Sequence, residues 1–324
     1  MNKKKIAIII DHPAREIDYL SILIVQLIQR GNFEIYLIEA YHKKLIYLID
    51  PDIIISPHNR FNYFNIIKYA KEKSKMIYFL PTEGGILNKF NPYHTKGILK
   101  SLKFVNGYFC WGTKIYNFLK KNSVYRKKIY LTGTPKSDLL NSRLKKLYDN
   151  KKEYITFVTN FQNSNPVYLN KQKKLDYKKQ ALFTNTNFSI RNKFLKIFIE
   201  TVKKFKNKKF ILKIHPFENS SYYKNRIKFK NVKIYHLEDI YEILSKSKKL
   251  IHYNCQSGFE YYISKSKPIS YDFLLKKKEK LFYHPILKKI SKKPKNYKEF
   301  FREISKKEIK YFSNSNTINK FFYF

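Results

Sequence analysis

The sequence has few of the residues that mark several common classes of functional site. Its two cysteines, Cys110 and Cys255, form no Cys-x-x-Cys pair, so neither a zinc framework nor a disulfide scaffold is indicated. Its eight histidines form no His-x-x-x-His pair, and no metal site is expected. Only eight glycines are present, and none belongs to a P-loop, a G-x-G-x-x-G turn or a G-x-S-x-G nucleophile elbow. These absences disfavour P-loop, dinucleotide-binding and serine-hydrolase chemistry.

Acidic residues are also scarce, with 24 Asp and Glu against 67 Lys and Arg, for a formal charge of +43. Such an excess favours a polyanionic partner, either nucleic acid or an anionic membrane surface. A codon bias toward A and T is an alternative cause, because Lys, Ile, Asn, Tyr and Phe are all abundant. The lysines are spread along the chain without a concentrated basic stripe, so we predict no nucleic-acid partner. Scattered lysines still attract anionic headgroups, and a membrane surface stays a candidate.

Long apolar runs are missing as well. No stretch approaches the roughly 18 apolar residues of a membrane-spanning helix. The lysines at positions 3–5, followed by Ile6–Ile10, superficially resemble a signal peptide, but five apolar residues are too few and no small-residue cleavage site follows. We expect a cytoplasmic protein, and peripheral contact with the inner face of the cytoplasmic membrane stays open.

The sequence does contain a regular alternation of short apolar runs and amphipathic segments. Ile6–Ile10 is typical of a strand buried on both faces, and residues 17–30 have a helical pattern closed by Gly31. The alternation breaks over the polar segment 142–152 and restarts at Tyr154. It predicts an α/β protein with two Rossmann-like, doubly wound parallel-sheet domains facing a cleft. Residues 160–188 show little periodicity and predict a long loop.

Three segments follow from this pattern. We predict an N-terminal acceptor-side domain at residues 1–145, a C-terminal nucleotide-donor domain at 152–290 and a helical tail at 291–324. In doubly wound sheets, ligands bind at the carboxyl ends of the strands. Six polar clusters directly follow predicted strands and are therefore the candidate site residues: Asp11–Glu16, Thr82–Gly85, Thr132–Asp138, Asn160–Phe161, His215–Glu218 and Asn254–Glu260.

The clusters of the second domain suit a phosphate-bearing ligand. Ser257 and Gly258 open a predicted helix, where amide groups and the helix dipole attract phosphate, and Glu260 could accept ribose hydroxyls. Simple capping of the helix explains the same residues. His215 can donate to a phosphate or be hydrogen-bonded into its turn. The predicted donor-binding residues are Asn160, Lys213, His215, Pro216, Glu218, Ser257, Gly258 and Glu260.

The clusters of the first domain suit proton transfer and acceptor binding. Glu83 stands beside two glycines and is a general base, an acceptor ligand or a solvated residue in a turn. Asp11 and Glu16 are further candidate bases, and Glu16 equally fits a first-turn helix acid. Thr132–Asp138 is predicted to shape the joint between the domains. The candidate catalytic residues are Glu83, Asp11 and Glu16, and the candidate acceptor-side residues are Arg15, Gly84, Gly85, Thr134 and Lys136.

Taken in order, these clusters resemble those of surface carbohydrate biosynthesis proteins from bacterial lipopolysaccharide and capsule loci. The resemblance covers roughly residues 5–273. Beyond the first β-α-β unit, it rests on the stretches PDIIIS with IYFLPTEGG, LTGTPKSDLLN, TNFQNSNP, LKIHPFEN and IHYNCQSGFEYYISKSKPIS. Each motif is weak alone, whereas six in the expected order are fairly specific.

The resemblance implies a GT-B fold and a kinship with nucleotide-sugar 2-epimerases, CDP-glycerol transferases and Kdo transferases. It implies that His215, Ser257 and Gly258 bind the donor phosphates and that Glu260 binds the ribose. It implies that Glu83 is a base or an acceptor contact. It also implies catalysis without a metal ion or a resident cofactor, since the nucleotide-activated sugar is a substrate.

We therefore expect a metal-independent glycosyltransferase of lipopolysaccharide or capsule biosynthesis. It would move a sugar from a nucleotide-activated donor, for which a CMP-linked sugar is one candidate, to a glycan or lipid-linked acceptor. Two other enzyme classes stay open, a CDP-glycerol-type polyol-phosphate transferase and a nucleotide-sugar 2-epimerase. A basic nucleic-acid-binding protein is the non-enzymatic alternative, and it predicts tight duplex binding with a steep salt dependence.

Overall fold

The computed structural model describes residues 3–11, 13–57, 64–82, 98–136, 138–139, 152–162, 164–167, 177–263, 266–280 and 285–307. Within these ranges, the side chains of residues 14–15, 177–185, 278, 280 and 285–286 are not described. The chain divides into two units between residues 142 and 143, and each is taken by itself below. The predicted boundaries at residues 145, 152 and 290 stay predictions.

The first unit contains a six-stranded sheet in which every pairing is parallel. Its strands are β1 (Lys4–Ile10), β2 (Phe33–Glu39), β3 (Ile53–Ser56), β4 (Met76–Phe79), β5 (Gly107–Cys110) and β6 (Ile129–Leu131), in the spatial order β2-β1-β3-β4-β5-β6. Because β1 lies between two strands and is covered on both faces, its run Ile6–Ile10 is apolar throughout and fully buried.

Helices connect these strands. They are α1 (Pro13–Arg30), α2 (Ile46–Ile49), α3 (Phe64–Glu72) and α4 (Thr113–Asn122), and a 3₁₀ segment at Ala40–Leu45 precedes α2. The connection between β2 and β3 is thus partly 3₁₀ and partly α-helical, and His42 within the 3₁₀ segment has non-helical backbone angles. One core cluster joins Ile46, Ile66 and Ala70 to the sheet, which holds α2 and α3 against the same face.

The second unit contains a five-stranded sheet, again parallel in every pairing. Its strands are β7 (Tyr154–Val158), β8 (Lys209–Lys213), β9 (Val232–Tyr235), β10 (Ser247–His252) and β11 (Ile269–Ser270), in the order β11-β10-β7-β8-β9. Its helices are α5 (Tyr177–Lys204), α6 (Ser221–Lys224), α7 (Ile240–Ser245), α8 (Gln256–Ile263), α9 (Lys277–Lys280), α10 (Pro285–Ile290) and α11 (Tyr297–Ser305). The two predicted parallel-sheet α/β domains are confirmed.

The long loop predicted over residues 160–188 is partly wrong, because α5 already begins at Tyr177. The helical spacing of buried residues starts only at Ile190 and continues through Phe194 and Phe198, whose rings lie 5.9 and 5.0 Å from that of Phe157 on β7. Residues 186–189 are at most half-buried, so the sequence shows no helical spacing of apolar residues there. The helix extends there from its packed part, because propagation of a helix is easier than its nucleation.

Within the part of the chain that the structure describes, no helix combines the length and the apolar character needed to cross a membrane.

Candidate functional site

The strand order of the second unit defines where a ligand should bind. From β7 the chain moves to β8 and β9 on one side of the sheet, and then to β10 and β11 on the other. The strand order therefore reverses between β7 and β10, and the carboxyl ends at such a reversal form the usual ligand crevice of open α/β sheets. Three predicted clusters follow the adjacent strands β10, β7 and β8, so they lie within roughly 10 Å of one another along the sheet. We call Asn160, His215 and Asn254–Gly258 the switch-point site.

A side-chain hydrogen bond spans the crevice. Asn160, two residues after β7, donates from Nδ2 to the carbonyl oxygen of Asn254, two residues after β10, at 2.9 Å. Asn254 has a left-handed backbone with φ of 49°, a conformation that asparagine tolerates better than most residues. The bond fixes the path of the chain from β10 into α8, and thereby the start of that helix.

His215 follows β8 and is held from both sides. Its backbone N–H donates to Thr159 Oγ1 at 2.9 Å, and its Nδ1 accepts from the backbone N–H of Phe217 at 3.2 Å. Because Nδ1 is an acceptor, the proton of the neutral imidazole lies on Nε2. The two interpretations of His215, a phosphate donor and a residue hydrogen-bonded into its turn, are therefore compatible. The turn orients the ring, and Nε2 is the donor that a phosphate oxygen would meet.

Glu218 lies beneath this turn and is fully buried. Its Oε1 accepts from Thr159 Oγ1 at 2.7 Å and from the backbone N–H of Phe161 at 2.8 Å, while Oε2 accepts from the hydroxyl of Tyr223. Burial raises the pKa of Glu218, and these three donors and the nearby Arg191 oppose that shift. Because both carboxylate oxygens already accept from protein donors, the structure favours a positioning role for Glu218 that joins the β7 and β8 turns, and its predicted contact with the donor stays a prediction.

The start of α8 differs from the simple phosphate cradle that the sequence predicts. The Gly258 N–H donates to the Cys255 carbonyl oxygen at 3.0 Å, and the Ser257 hydroxyl lies 3.5 Å from Cys255 Sγ. In this contact the thiol donates to Ser257 Oγ, so the hydroxyl can still donate its own proton to a phosphate oxygen. Ser257 therefore stays a candidate contact, whereas the Gly258 N–H already has an acceptor.

Gly258 has a steric role that the sequence did not indicate. A Cβ atom at this position would lie 2.8 Å from Nδ1 and Cε1 of His252, the last residue of β10. The absence of a side chain lets the first turn of α8 rest directly on the imidazole. Backbone freedom is not the reason for glycine here.

We expect Gly258→Ala to destabilise the second unit by about 1–3 kcal/mol, the usual cost of overpacking a tight contact. Urea unfolding measures the change. The matched control is Gly258→Ala in a His252→Ala background, where the imidazole that would meet the added Cβ is gone and the substitution should cost much less. Equal costs of Gly258→Ala in the two backgrounds would contradict the steric role of Gly258.

Two further predicted donor residues are buried. Glu260 lies in α8 with an exposed fraction of 4%. Lys213, the last residue of β8, donates from Nζ to the carbonyl oxygens of Ile214 and His236, and burial lowers its pKa to about 8. Lys213 therefore braces the β8 and β9 turns, and the direct contribution of its charge to a ligand is reduced.

In the first unit, Asp11 follows β1, next to the reversal of strand order between β1 and β3. Glu16 lies in the first turn of α1, is fully buried, and accepts from the backbone N–H of Asp11 at 3.0 Å. The structure therefore favours the interpretation of Glu16 as a first-turn helix acid, and its catalytic role stays a prediction. Asp11 is half-buried and stays a candidate.

Thr134 and Lys136 follow β6 and are both buried, and Thr134 Oγ1 accepts from the Lys136 N–H at 3.3 Å. The strand β6 stands four positions from β1, or roughly 19 Å, so these residues and Asp11 do not contact one small group.

Several predicted residues lie outside the described part of the chain. They are Glu83, Gly84 and Gly85, together with the side chain of Arg15. Their roles stay predictions.

The structure also shows supporting residues that the sequence analysis missed. Thr159 connects His215 to Glu218, and Arg191 stacks between the rings of Phe188 and Tyr222 at 4.7 and 4.2 Å while donating to the Ser164 carbonyl oxygen at 2.7 Å. The sequence could have indicated Thr159, because this residue directly precedes Asn160 at the end of a strand. It could not have indicated Arg191, because the partners of Arg191 are distant in sequence.

No protein-family model and no curated protein matches the sequence. Solved structures do match its fold. A UDP-GlcNAc 2-epimerase from Methanocaldococcus jannaschii, in complex with UDP-GlcNAc and UDP, matches with a TM-score of 0.59 at 12% identity, covering 97% of each chain. The wall teichoic acid polymerase TagF soaked with CDPG matches with a TM-score of 0.56 at 9% identity, covering 99% of this chain and 82% of that one.

A third match is the UDP-GlcNAc 2-epimerase from Neisseria meningitidis bound to UDP-GlcNAc, with a TM-score of 0.53 at 13% identity over 79% of this chain and 78% of that one. Identities this low establish a shared fold and nothing finer. The chain is therefore an α/β protein with the GT-B fold, built from two parallel-sheet Rossmann-like units.

Proposed function

We propose that this protein is an enzyme that binds a nucleotide-activated sugar at the switch-point site and transfers the sugar to a surface glycan or lipid-linked acceptor. The observation that carries the proposal is the Asn160–Asn254 bond across the reversal of strand order, with His215 and the start of α8 beside it. This edge of the sheet combines an oriented imidazole donor with a helix N-terminus, and both suit a diphosphate. The three fold neighbours with UDP-GlcNAc, UDP or CDPG support the same class of ligand.

The roles of the individual residues follow from their geometry. His215 would donate from Nε2 to a phosphate oxygen, and the dipole of α8 with the Ser257 donors would stabilise the charge that develops on the leaving nucleotide. Glu260 would accept from the ribose hydroxyls. Thr159 and Glu218 would hold His215 in place without touching the ligand.

The acceptor half of the proposal rests on the first unit. Glu83, beside Gly84 and Gly85, is proposed as the base that takes the acceptor hydroxyl proton. Asp11 is the second candidate because it follows β1 at the reversal of strand order. Lipopolysaccharide or capsule synthesis at the inner face of the cytoplasmic membrane is the proposed setting.

A nucleotide-sugar 2-epimerase is the second candidate, favoured by the match to the M. jannaschii enzyme over 97% of both chains. The match to the CDPG-soaked polymerase favours a polyol-phosphate transferase, which is the third candidate. Product analysis separates the three. Sugar transfer lengthens the glycan and releases nucleotide, polyol transfer adds a phosphodiester, and epimerisation leaves an intact nucleotide sugar without any acceptor.

We expect one of CMP, CDP, UDP or GDP to stabilise the protein in a thermal-shift titration, by about 2.7 kcal/mol at a hundredfold excess over Kd. His215→Gln should weaken the binding of that nucleotide at least tenfold, because it removes an oriented hydrogen-bond donor to a charged phosphate oxygen. Glu260→Ala should also abolish the shift.

His236→Gln is the matched control. His236 is a half-buried histidine after the next strand, β9, outside the switch-point site, and its Nε2 lies 3.2 Å from the Pro216 carbonyl oxygen. Equal weakening by both histidine variants would count against the assigned site. A response to duplex DNA alone, lost at high salt, would refute the enzyme proposal in favour of a basic nucleic-acid binder.

A further inference from the structure

An exposed apolar surface interrupts the polar exterior of the first unit. Of the fifteen large apolar side chains that are exposed among the described residues, four lie within eight successive positions: Tyr41, Leu45, Tyr47 and Leu48. Leu48 is 82% exposed and Tyr41 is 64% exposed. Single exposed apolar residues are ordinary, whereas several within one short segment favour an interaction site.

The surface is a built feature of the fold. Ile46 is fully buried beneath it, which anchors α2 to the core. The ring of Tyr47 meets that of Tyr69 on α3 edge-on at 4.9 Å. The Tyr69 hydroxyl donates to Asp50 at 2.5 Å, and Asp50 pairs with Lys75 at 3.1 Å. The exposed side chains therefore project from a fixed support.

Lysines are frequent in the two segments that carry this surface and its support. Residues 39–50 and 64–75 contain six lysines against three carboxylates. Within the described residues those carboxylates already have partners, since Glu39 lies 3.6 Å from His42, Glu72 lies 3.6 Å from Lys68, and Asp50 pairs with Lys75. The net charge of this surface is thus positive.

A cavity of about 260 Å³ opens beside the same support, at the edge of the sheet where β4 and β5 begin, and is lined by Lys71, Lys75, Lys103 and Phe104. The Nζ atoms of Lys71 and Lys103 lie 5.9 and 4.4 Å from the centre of the Phe104 ring. Lys75 is paired with Asp50, so the ammonium groups of Lys71 and Lys103 are the ones that suit the phosphate groups of a bilayer surface.

We propose that this surface, defined by Tyr41, Leu45, Tyr47, Leu48, Lys44 and Lys71, docks the protein on an anionic phospholipid bilayer. Leu48 and Leu45 enter the boundary of the acyl region, the tyrosines lie at the headgroup level, and the lysines contact lipid phosphates. A protein partner fits less well, because lysine is depleted in protein–protein interfaces.

This docking mode deepens the proposed function, since it brings the enzyme to a membrane-anchored acceptor, but it does not depend on the nucleotide site. The cavity and the end of α2 lie at the amino edge of the first sheet, whereas Tyr41 follows β2 at the carboxyl edge. Asp11 follows the neighbouring strand β1 at that same edge, where Ile10 pairs with Glu39. The docking surface thus reaches the edge of the sheet at which Asp11 lies.

Vesicle sedimentation at 0.15 M salt tests the proposal, with phosphatidylcholine vesicles that contain or lack about 30% phosphatidylglycerol. The full chain should bind the anionic vesicles, and Tyr41→Ser with Leu48→Ser should weaken binding at least tenfold. Val124→Ser is the apolar control, because Val124 belongs to the same unit and is 89% exposed. It should change binding less than twofold.

A charge-matched pair tests the lysines. Lys44→Gln with Lys71→Gln should weaken binding at least fivefold more than Lys228→Gln with Lys230→Gln, which removes the same charge from exposed positions of the second unit. Three results would overturn the proposal: no vesicle binding by the full chain, equal losses in either matched comparison, or conversion of a dimer to a monomer by the Tyr41 and Leu48 substitutions without a change in vesicle binding. Nucleotide affinity, measured on the same variants, should be unchanged, so failure here is distinct from failure of the nucleotide site.

Discussion

Replacing Glu218 with alanine is expected to destabilise the second unit by about 3–5 kcal/mol. The carboxylate is fully buried and accepts from the Thr159 hydroxyl, the Phe161 N–H and the Tyr223 hydroxyl. Its removal leaves those donors in a water-poor site, and each buried donor without an acceptor costs about 1–3 kcal/mol. The sum reaches the cost of breaking a buried charged network.

Two variants separate the charge from the shape of the side chain. Glu218→Gln retains an oxygen that can accept from Thr159 and Phe161, but it presents an N–H group toward Tyr223, so an intermediate loss of about 1–3 kcal/mol is expected. Glu242→Ala is the surface control, because Glu242 is 61% exposed and its ion pair with Lys246, four residues later, is also at the surface. It should cost less than about 0.5 kcal/mol.

Hydrogen–deuterium exchange of peptides that cover β7 and β8 is the measurement. The amides of these peptides should exchange faster in the Glu218→Ala protein than in the wild type. Fluorescence of Trp111, the single tryptophan, monitors the folding of the first unit separately. The positioning role also predicts weaker nucleotide binding through His215. Wild-type protection in the alanine variant would show that the network is not supporting the turns.

The fold can be predicted from the sequence because burial imposes simple patterns of apolar residues. β1 and β8 are covered on both faces, so their residues form continuous apolar runs that predict parallel strands directly. The start of α5 lacked such a signal, since no buried apolar residue precedes Ile190 within its described side chains. Local pattern therefore fails where a helix is stabilised by contacts made farther along it.

The site was predictable to the level of strand ends but not to the level of individual roles. Parallel topology places Asn160, His215 and Ser257 at one edge, and the sequence pattern anticipated that. It could not show that Glu16 and Glu218 face inward, because a polar residue after a strand carries the same signal whether it meets a ligand or a backbone amide. Nor could it show that Gly258 rests on His252, a contact set by the packing of α8 on β10.

The titration of the buried His252 gives the second large expected effect, a loss of folding stability in mild acid. Burial lowers the pKa of His252 to about 3. The Ser291 hydroxyl donates to the Leu287 carbonyl oxygen at 2.6 Å, so it must accept from Nε2 of His252, 2.8 Å away. The imidazole is thus neutral in the folded protein, with its proton on Nε2.

The sign of the effect follows from the two protonation equilibria. In the unfolded chain the pKa of His252 returns to about 6.5, so between that pH and about pH 3 the unfolded state binds one proton more. The full stability is therefore present above about pH 6.5 and falls as the pH decreases. The loss is about 2 kcal/mol at pH 5 and approaches about 5 kcal/mol near pH 3.

His252→Gln should remove this dependence, because its amide can still donate to Ser291 and does not titrate. We expect the wild type to lose about 2 kcal/mol more than this variant between pH 7.5 and pH 5, in urea unfolding followed by exchange of peptides over residues 247–263. Parallel pH profiles for the wild type and His252→Gln would mean that the imidazole is already charged in the folded protein, and the close contact of its Nδ1 with Gly258 would then have to open.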